Sequence, residues 1–236
     1  MPKRLAGTVI DSATLTEENK AEDKTLPSYW GFEKGEKLTT LDEFDPMKQT
    51  TVKGQADAKR MLKTCRAWLK SDTGWLTIIG GVGIGKTHLM KALAVEGNCY
   101  YITAYDFDYR IKQFRDSTSE GTQRRDPDDW LHDIGTMERR LIIDDVGAGY
   151  IDKGWTSIRF ERLVDLRYRN QRPTAVTSNL SGKALEKALG ERIMSRITDA
   201  DIARVVIASN AKDIRMKRRK ALSLYEVYTG KKPDAE

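Results

Sequence analysis

The sequence predicts an α/β domain around a mostly parallel sheet, and three observations support this fold class. From Trp75 onward, short apolar segments alternate with segments of helical periodicity. The first apolar segment, 75–80, leads into a glycine-rich turn that opens a helix. Two later apolar segments end in polar residues, at 144–145 and 178–179. Strands that alternate with helices pair in parallel, because each helix carries the chain back to the starting edge of the sheet.

The individual elements follow from periodicity and from helix-end signals. A first helix is predicted over 55–69, where apolar residues recur at helical spacing. The next begins at Lys86 and ends before Gly97, which suits the C′ position after a helix. Thr103 is expected to cap the third helix. Further helices are predicted around 129–137 and over 155–170, 181–189 and 191–197, and strands at 75–80, 99–103, 139–146, 173–179 and 203–209.

Composition excludes several classes of protein. Of the 236 residues, 32% are charged, and no apolar run approaches the roughly 20 residues that span a bilayer. The N-terminus lacks the continuous apolar stretch of a secretory signal. Cys65 and Cys99 are isolated and the chain has two histidines, which excludes a zinc ribbon and argues against a disulfide framework. We therefore expect a cytoplasmic protein with no membrane partner.

Three regions are distinguished along the chain. Residues 1–40 are polar with little periodicity, and we expect a flexible N-terminal arm that binds a partner. Residues 41–211 are expected to form the folded core. Residues 212–236 hold eight Lys or Arg against four Asp or Glu and form a basic C-terminal tail. The net charge of +6 is a weak indication of a polyanionic partner, with an ordinary solvated surface as the equal alternative.

The segment GGVGIGKT at 80–87 predicts a phosphate site. It fits the pattern G-x-x-x-x-G-K-[ST] and lies between a predicted strand and a predicted helix. Glycines let the backbone curl so that N–H groups point at phosphate, and the helix N-terminus adds partial positive charge. Lys86, whose side chain we expect to be solvent-exposed, can reach the β- and γ-phosphates, and the Thr87 hydroxyl can bind Mg²⁺. The alternative is a glycine turn with a coincidental GKT, which the flanking strand and helix disfavour.

Two aspartates follow the apolar strand LII at 141–143. In P-loop nucleotide hydrolases the first acid at such a strand end holds Mg²⁺, which assigns Asp144. Asp145 can act as general base toward the attacking water. A surface acid or a helix-capping acid remains the alternative for Asp145.

Two further segments supply polar groups that suit a γ-phosphate. Asn179 ends the strand at 173–179 and can orient water, although a turn or cap for the next helix is the alternative. In GERIMSRI at 190–197, Arg192 and Arg196 lie four residues apart on one helical face. Either could act on the γ-phosphate of a neighbouring protomer. Taken alone, two solvated surface arginines are the favoured interpretation.

With these four elements in order, the chain resembles the AAA+ ATPases of the bacterial replicative-helicase loader type, the DnaC/DnaI family, which also contains the IstB transposition helpers. The resemblance covers roughly residues 41–215. It depends on four segments: GGVGIGKTHLMKAL (80–93), LIIDDVG (141–147), FERLVDLRYRNQRPTAVTSNLS (160–181) and LGERIMSRI (189–197).

The resemblance implies a P-loop AAA+ core, a five-stranded sheet flanked by helices without a full helical lid domain, that binds ATP and Mg²⁺. It implies Asn179 as the polar residue termed sensor 1 and Arg196 as the arginine finger, with Arg192 as the alternate finger. Arg215 falls where the family places its sensor 2 arginine. The implied nucleotide-binding residues are Gly80, Gly81, Val82, Gly83, Ile84, Gly85, Lys86, Thr87, His88 and Arg215, and the implied metal ligands are Thr87 and Asp144.

The same resemblance implies an ATPase that loads a hexameric replicative helicase onto single-stranded DNA during DNA replication. Protomers would self-associate into a ring or spiral with ATP, and the arm would hold the helicase. Candidate DNA-binding groups are Arg115, Arg124 and Arg125 on a polar loop, with a disordered surface loop as the equal alternative. A second candidate is Lys217–Lys220 in the tail, where an ordinary charged tail is the favoured alternative. AAA+ proteins usually have glutamate where this chain has Asp145, so slow, switch-like turnover is expected.

Two other functions remain open. An IstB-like helper of DNA transposition uses the same ATPase core and binds duplex DNA. A nucleotide-regulated scaffold would bind ATP without useful hydrolysis, which the shorter Asp145 side chain keeps possible. A small-molecule kinase is disfavoured, because TSN at 177–179 and ERIMSRI at 191–197 would then have no role.

Overall fold

Five parallel strands form the centre of the fold. The structure is a computed structural model that describes residues 32, 39–116, 126–147, 149 and 154–214. The strands are β1 (Trp75–Gly80), β2 (Tyr100–Thr103), β3 (Leu141–Asp144), β4 (Thr174–Ser178) and β5 (Ala203–Ala208). The helices are α1 (Val52–Leu69), α2 (Lys86–Glu96), α3 (Ala104–Asp116), α4 (Pro127–Thr136), α5 (Trp155–Arg169), α6 (Gly182–Leu189) and α7 (Glu191–Ile197), and two 3₁₀ turns, Leu41–Glu43 and Pro46–Lys48, precede them.

The strands are ordered β2-β3-β4-β1-β5, and all their pairings are parallel. Trp75 at the start of β1 is in register with Thr174 on one side and Ala203 on the other. The predicted α/β fold with a mostly parallel five-stranded sheet is therefore confirmed. β1 lies between β4 and β5, so the loop that follows it is flanked by two other strand ends.

Helices cover both faces of the sheet except along the edge strand β5, where Val205 and Ile207 are exposed. This cover explains why the inner strands read as continuous apolar runs. On one face, alternate strand residues such as Ile79 and Ile143 pack with side chains of α3, α4, α5 and α7. On the other face, residues such as Ile78 and Ile142 pack with α1 and α2. The side chains of both cores are almost fully removed from solvent.

Helix ends follow local chemistry, with two departures from prediction. α1 begins three residues earlier than expected, because the hydroxyl of Thr51 accepts from the backbone N–H of Gly54 at 3.0 Å and caps the helix there. Gly97 does not occupy the C′ position: its φ is −96°, and the left-handed residue is Asn98, with φ of 45°. Glycine at 97 avoids crowding, because a Cβ there would lie 2.6 Å from Leu69 Cδ2 and 3.0 Å from the Leu93 carbonyl oxygen.

A buried arginine ties together the amino ends of two strands. Arg167 on α5 has no solvent exposure. Its guanidinium donates to the Thr174 hydroxyl at 2.7 Å and to the carbonyl oxygens of Ile134 and Arg139 at 2.6 and 2.9 Å. Further acceptors are the carbonyls of Met137 and Pro173. Burial lowers the pKa of Arg167 to about 9, and the carbonyl acceptors satisfy its N–H groups in place of water.

The predicted arm and tail lie largely outside the described residues. Of residues 1–40, the structure describes Phe32, Thr39 and Thr40, and of residues 212–236 it describes 212–214. The described residues after β5, 209–214, form no helix, so no lid domain is seen in that stretch. Within the described part of the chain, no helix has both the length and the apolar character needed to span a membrane.

Candidate nucleotide site

The ends of three neighbouring strands meet at one edge of the sheet. β3, β4 and β1 are adjacent in that order. Asp145 follows β3, Asn179 follows β4, and the glycine-rich segment at the end of β1, residues 80–87, leads into α2. We refer to residues 80–87 as the P-loop. The structure thus brings three of the four predicted motifs to one place.

Backbone geometry in the P-loop depends on glycine at two positions. Gly83 and Gly85 have φ of 74° and 101°, in the left-handed region that favours glycine. Gly85 is the N-cap of α2, and its carbonyl accepts the first helical hydrogen bond, from Leu89 N–H at 3.0 Å. The first N–H groups of α2 have no acceptor within the helix, as at any helix N-terminus. Such a turn binds anions through its N–H groups and the helix dipole.

Lys86 is buried rather than exposed, contrary to the expectation from the sequence. The residue is 5% exposed. Its ammonium group donates to the carbonyl oxygens of Gly80 and Gly81, each at 2.7 Å, and to Asn179 Oδ1 at 2.5 Å. The side chain folds back across its own loop because these three acceptors replace the water that an ammonium group otherwise requires.

Asp144 is buried, and two hydroxyl groups orient its carboxylate. The residue is 2% exposed. The Tyr101 hydroxyl donates to Oδ2 at 2.9 Å, and the Thr177 hydroxyl donates to Oδ1. Sequence reasoning missed Tyr101 and Thr177. Their signal was weak, since both strands carry several hydroxyl residues, YYIT in β2 and TAVTS in β4. Only the pairing of β3 with β2 and β4 places Tyr101 and Thr177 beside Asp144.

Asp145 and Asn179 form one hydrogen-bonded chain with Lys86. The Asn179 amide donates to Asp145 Oδ1 and accepts from Lys86. Burial and the neighbouring Asp144 raise the pKa of Asp145, while Lys86 and the Asn179 hydrogen bond oppose that rise. A carboxylate with a raised pKa is a better proton acceptor than an ordinary one.

The capping alternatives for Asp145 and Asn179 do not hold at the helices that follow them. The N-cap of α5 is Gly154, and that of α6 is Ser181, whose hydroxyl accepts from Ala184 N–H at 3.4 Å. Asp145 has a φ of 61°, which aspartate tolerates better than most residues. Its backbone N–H donates to the Thr177 hydroxyl at 2.9 Å, which fixes that conformation.

The remaining residues of the 80–88 segment differ in exposure. Gly81 and Thr87 face solvent, and Val82 is 54% exposed. Ile84 is 1% exposed and belongs to the core, so its side chain anchors the loop. His88 packs against the Phe44 ring at 5.8 Å between centroids, and its buried Nε2 has no hydrogen-bond partner among the described residues. Burial first, and then the charge of Lys48, lower the pKa of His88.

Two segments, one that precedes α1 and one that follows β5, meet beside the P-loop. The Gln49 side chain donates to the Lys212 carbonyl at 3.1 Å and accepts from its N–H at 2.8 Å. Ile214 N–H then donates to the Gly83 carbonyl at 3.1 Å, and the Asp213 carboxylate lies against Gly83. The residues that lead to Arg215 are therefore fixed beside the loop. Arg215 itself lies outside the described residues, and Gln49 and Asp213 were missed by sequence reasoning.

The two candidate finger arginines share an acidic partner on α5. Arg196 pairs with Asp165 at 2.7 Å and lies over the Tyr168 ring, 5.5 Å from its centroid. Arg192 pairs with Asp165 at 2.6 Å and with Glu161 at 2.8 Å. Their side chains are 17% and 57% exposed, respectively. Both partners lie on α5, so the structure does not place these arginines among the P-loop contacts described above.

Several predicted DNA-binding groups cannot be placed. Arg124, Arg125 and Lys217–Lys220 lie outside the described residues, as does the side chain of Arg115. Within the described residues, no group of three or more His, Cys, Asp or Glu side chains could hold a metal ion. A metal at Asp144 would therefore need ligands beyond the acidic side chains.

Comparison with known proteins identifies the family to which this chain belongs. Residues 12–221 match the family described as IstB-like ATP binding protein. The replicative helicase loader DnaC of Escherichia coli K12 is 31% identical over 124 residues, which cover 50% of this chain and 47% of the loader. The replication initiator DnaA of Limosilactobacillus fermentum is 30% identical over 128 residues, 51% of this chain and 27% of the initiator. The chain thus spans about half or less of these curated relatives.

Solved structures show the same fold. A crystal structure of the DnaC helicase loader matches with a TM-score of 0.55 and 22% identity, covering 71% of this chain and 95% of that one. AMPPCP-bound DnaA from Aquifex aeolicus matches with a TM-score of 0.54 and 19% identity, covering 84% and 58%. These similarities confirm the predicted P-loop AAA+ fold.

The contacts of Lys86 predict a loss of nucleotide binding in the Lys86→Ala variant. The variant removes the cation nearest the loop carbonyls, and we expect ATP affinity to fall at least about 100-fold, since truncating one partner of a charged contact costs several kcal/mol. Calorimetric titration with ATP measures this. Lys63→Ala on the exposed face of α1 is the matched control and should bind as the wild type does. Unchanged affinity in Lys86→Ala would refute the phosphate-site assignment.

Proposed function

Because this chain belongs to the IstB-like ATP-binding protein family, we propose that it is an ATPase that loads a replicative DNA helicase onto single-stranded DNA. The observation that supports this best is the hydrogen-bonded chain from Lys86 through Asn179 to Asp145. It joins the P-loop cation, a polar sensor and a carboxylate with a raised pKa. That combination suits a site that detects a γ-phosphate and activates water beside it.

The residues present fit ATP and Mg²⁺. The P-loop offers helix N-terminal N–H groups and the Lys86 ammonium for phosphate oxygens. Two hydroxyl donors orient the Asp144 carboxylate, and carboxylate oxygens are ligands that Mg²⁺ prefers. Thr87 is exposed at the start of α2 and would supply a second oxygen. When bound, Mg²⁺ would neutralise charge on the phosphates.

Phosphate binding would redistribute the contacts of Lys86. Its acceptors include two loop carbonyls and the Asn179 side chain, and phosphate oxygens are stronger acceptors for an ammonium group. As Lys86 turns to phosphate, the side-chain Oδ1 of Asn179 would be freed to orient a water. Asp145, held by the Asn179 amide, is then the nearest predicted base for that water. Lys86 would thus exchange its hydrogen bond to Asn179 for one to ATP, while Asn179 and Asp145 stay hydrogen-bonded to each other.

The loader assignment is supported by similarity and by one exposed surface. Several relatives are named replicative helicase loaders, and a related DnaA structure is described as bound to AMPPCP and single-stranded DNA. On α3 of this chain, Tyr105 and Tyr109 stack at 6.4 Å between centroids, and they are 55% and 49% exposed. Exposed aromatic rings stack with unpaired bases. We therefore propose that single-stranded DNA binds on this face.

Two further parts of the proposal concern protein partners. We propose that the N-terminal arm, residues 1–40, holds the helicase and that protomers assemble when ATP is bound.

A transposition helper is the second candidate. The matching family is named for IstB, and its match covers residues 12–221. Such a helper would bind duplex DNA instead of a single strand. The two functions therefore differ in partner and in DNA strandedness.

Asp145→Asn tests the base assignment. Asparagine tolerates the left-handed backbone at 145 and keeps the side-chain shape, so the variant should fold and bind ATP normally. Loss of a general base should lower turnover by about 100-fold or more. Phosphate release at saturating ATP measures this, and calorimetry checks binding. The comparison variant Asp144→Asn should instead weaken the dependence on Mg²⁺. If Asp145→Asn turns over ATP at the rate of a hydrolysing wild type, the general base lies elsewhere. No turnover in the wild type itself would favour the scaffold function.

Mixing two inactive variants tests whether an arginine acts between protomers. Arg196→Ala should bind ATP as an isolated protomer but lose ATP-dependent assembly and most turnover, about 1000-fold for an arginine finger. A mixture with Lys86→Ala should regain part of the activity, because some interfaces pair an intact P-loop with an intact arginine. Phosphate release and sedimentation of the mixtures measure this.

Two arginines serve as comparisons for Arg196→Ala. Arg192→Ala tests the alternate finger, whose side chain is the more exposed. Arg169→Ala also removes an ion pair with Asp165, at 3.6 Å, and should retain assembly and activity. If Arg192→Ala is inactive and Arg196→Ala is normal, the finger is Arg192. Normal assembly and turnover in both would contradict the trans-acting arginine.

DNA strandedness separates the two candidate functions. With ATP present, we expect tighter binding to a single-stranded oligonucleotide than to its duplex, and co-purification with the replicative helicase of the same cell. Replacing Tyr105 and Tyr109 by alanine should weaken single-strand binding at least about fivefold, since each stacked base contributes roughly 1–3 kcal/mol. Ile158→Ala, at a residue 66% exposed on α5, is the control. Preference for duplex and co-purification with a transposase would support the IstB-like function.

A further inference from the structure

Tyr101 is a fully buried residue whose hydroxyl binds the Asp144 carboxylate. It lies on β2 with no solvent exposure, and its hydroxyl donates to Asp144 Oδ2 at 2.9 Å. The ring packs in the core shared with α1 and α2. Phenylalanine would satisfy that packing, so the hydroxyl is explained by its hydrogen bond to the carboxylate.

The orientation of the Asp144 carboxylate depends on this hydrogen bond. Thr177 donates to one carboxylate oxygen and Tyr101 to the other. Thr177 also accepts from the Asp145 N–H, so its hydroxyl position is fixed by the backbone. Tyr101 is therefore the second point that prevents rotation of the carboxylate. Groups that orient a metal ligand from behind typically change metal affinity 10- to 100-fold when removed.

Phe32, from the N-terminal segment, packs on the Tyr101 ring. The two ring centroids lie 5.2 Å apart with an interplanar angle of 65°, an edge-to-face contact. The Lys91 ammonium lies 5.2 Å from the Phe32 centroid. Lys91 is on α2, the helix that begins at the P-loop. Phe32 thus contacts the strand behind Asp144 and the helix behind the phosphate site at the same time.

We infer that Tyr101 is a positioning residue for the magnesium-binding carboxylate of Asp144, and that Phe32 is the contact through which the N-terminal segment acts on it. The inference rests on the proposed magnesium role of Asp144. A partner that draws Phe32 away would loosen Tyr101 and lower magnesium affinity. Engagement of the N-terminal segment and occupancy of the metal site would then be coupled in both directions.

The matched pair Tyr101→Phe and Tyr100→Phe tests the positioning role. Both remove one buried hydroxyl from β2, but Tyr100 faces the opposite core. Nucleotide binding is titrated with Mg²⁺, using a fluorescent ATP analogue and the full chain. Tyr101→Phe should require about 10-fold more Mg²⁺ for half-saturation, with unchanged affinity in EDTA. Tyr100→Phe should follow the wild type in both measurements, and thermal unfolding confirms that each variant is folded.

A double-mutant cycle tests the role of Phe32. Phe32→Ala removes an aromatic contact and should raise the Mg²⁺ half-saturation about two- to threefold, within the usual strength of such pairs. In the Tyr101→Phe background the same change should add nothing, because the hydroxyl through which it acts is gone. If Tyr101→Phe does not fold, the shift in Phe32→Ala, with unchanged affinity in EDTA, decides the question.

The outcomes separate this inference from the proposed function. If wild-type nucleotide binding does not depend on Mg²⁺, the magnesium role of Asp144 fails and the inference fails with it. If the wild type depends on Mg²⁺ but Tyr101→Phe matches Tyr100→Phe, the proposed function stands and the positioning role is overturned. Additive effects of Phe32→Ala and Tyr101→Phe would overturn the coupling through Tyr101.

Discussion

All five strands run in the same direction, so the residues that follow them collect at one edge of the sheet. This constraint determines the positions of the P-loop, Asp144, Asp145 and Asn179. β1 lies between β4 and β5, which sets the P-loop beside Asn179 on one side. β3 is the next strand beyond β4, so Asp144 and Asp145 at its end lie close to Asn179 and the P-loop. In open parallel sheets, ligands characteristically bind at this edge.

The two ends of the sheet are stabilised by different chemistry. At the amino end, Arg167 donates to carbonyl groups and to Thr174, and no carboxylate is among those acceptors. At the carboxyl end, Lys86 has similar acceptors but lies where phosphate oxygens would compete for it. A buried cation with only protein acceptors is fixed in place. Lys86 lies in the P-loop, which also suits phosphate, so it can exchange its carbonyl acceptors for phosphate oxygens. A protein that switches on nucleotide binding requires such an exchange.

Helix α5 links the core to the surface that carries the two candidate finger arginines. Its buried side carries Arg167, and its outer side carries Asp165 and Tyr168, which hold Arg196. An arginine held in this way has a defined direction before any partner arrives. In the proposed trans-acting role, the ion pair of Arg196 with Asp165 would be exchanged for contacts with the neighbouring protomer, so assembly would gain specificity at some cost in affinity.

The sequence by itself determined the fold class, the five strands and the position of the P-loop. Periodicity and glycine placement are local signals, and they identified β1, α2 and the acidic end of β3 correctly. It could not determine that Lys86 is buried, that Asn98 takes the left-handed position after α2, or that Tyr101 and Thr177 hold Asp144. Each of these depends on which strands are neighbours and how closely helices pack. Strand order is set by the burial of both sheet faces together, and only the tertiary structure decides it, because no single segment carries that information.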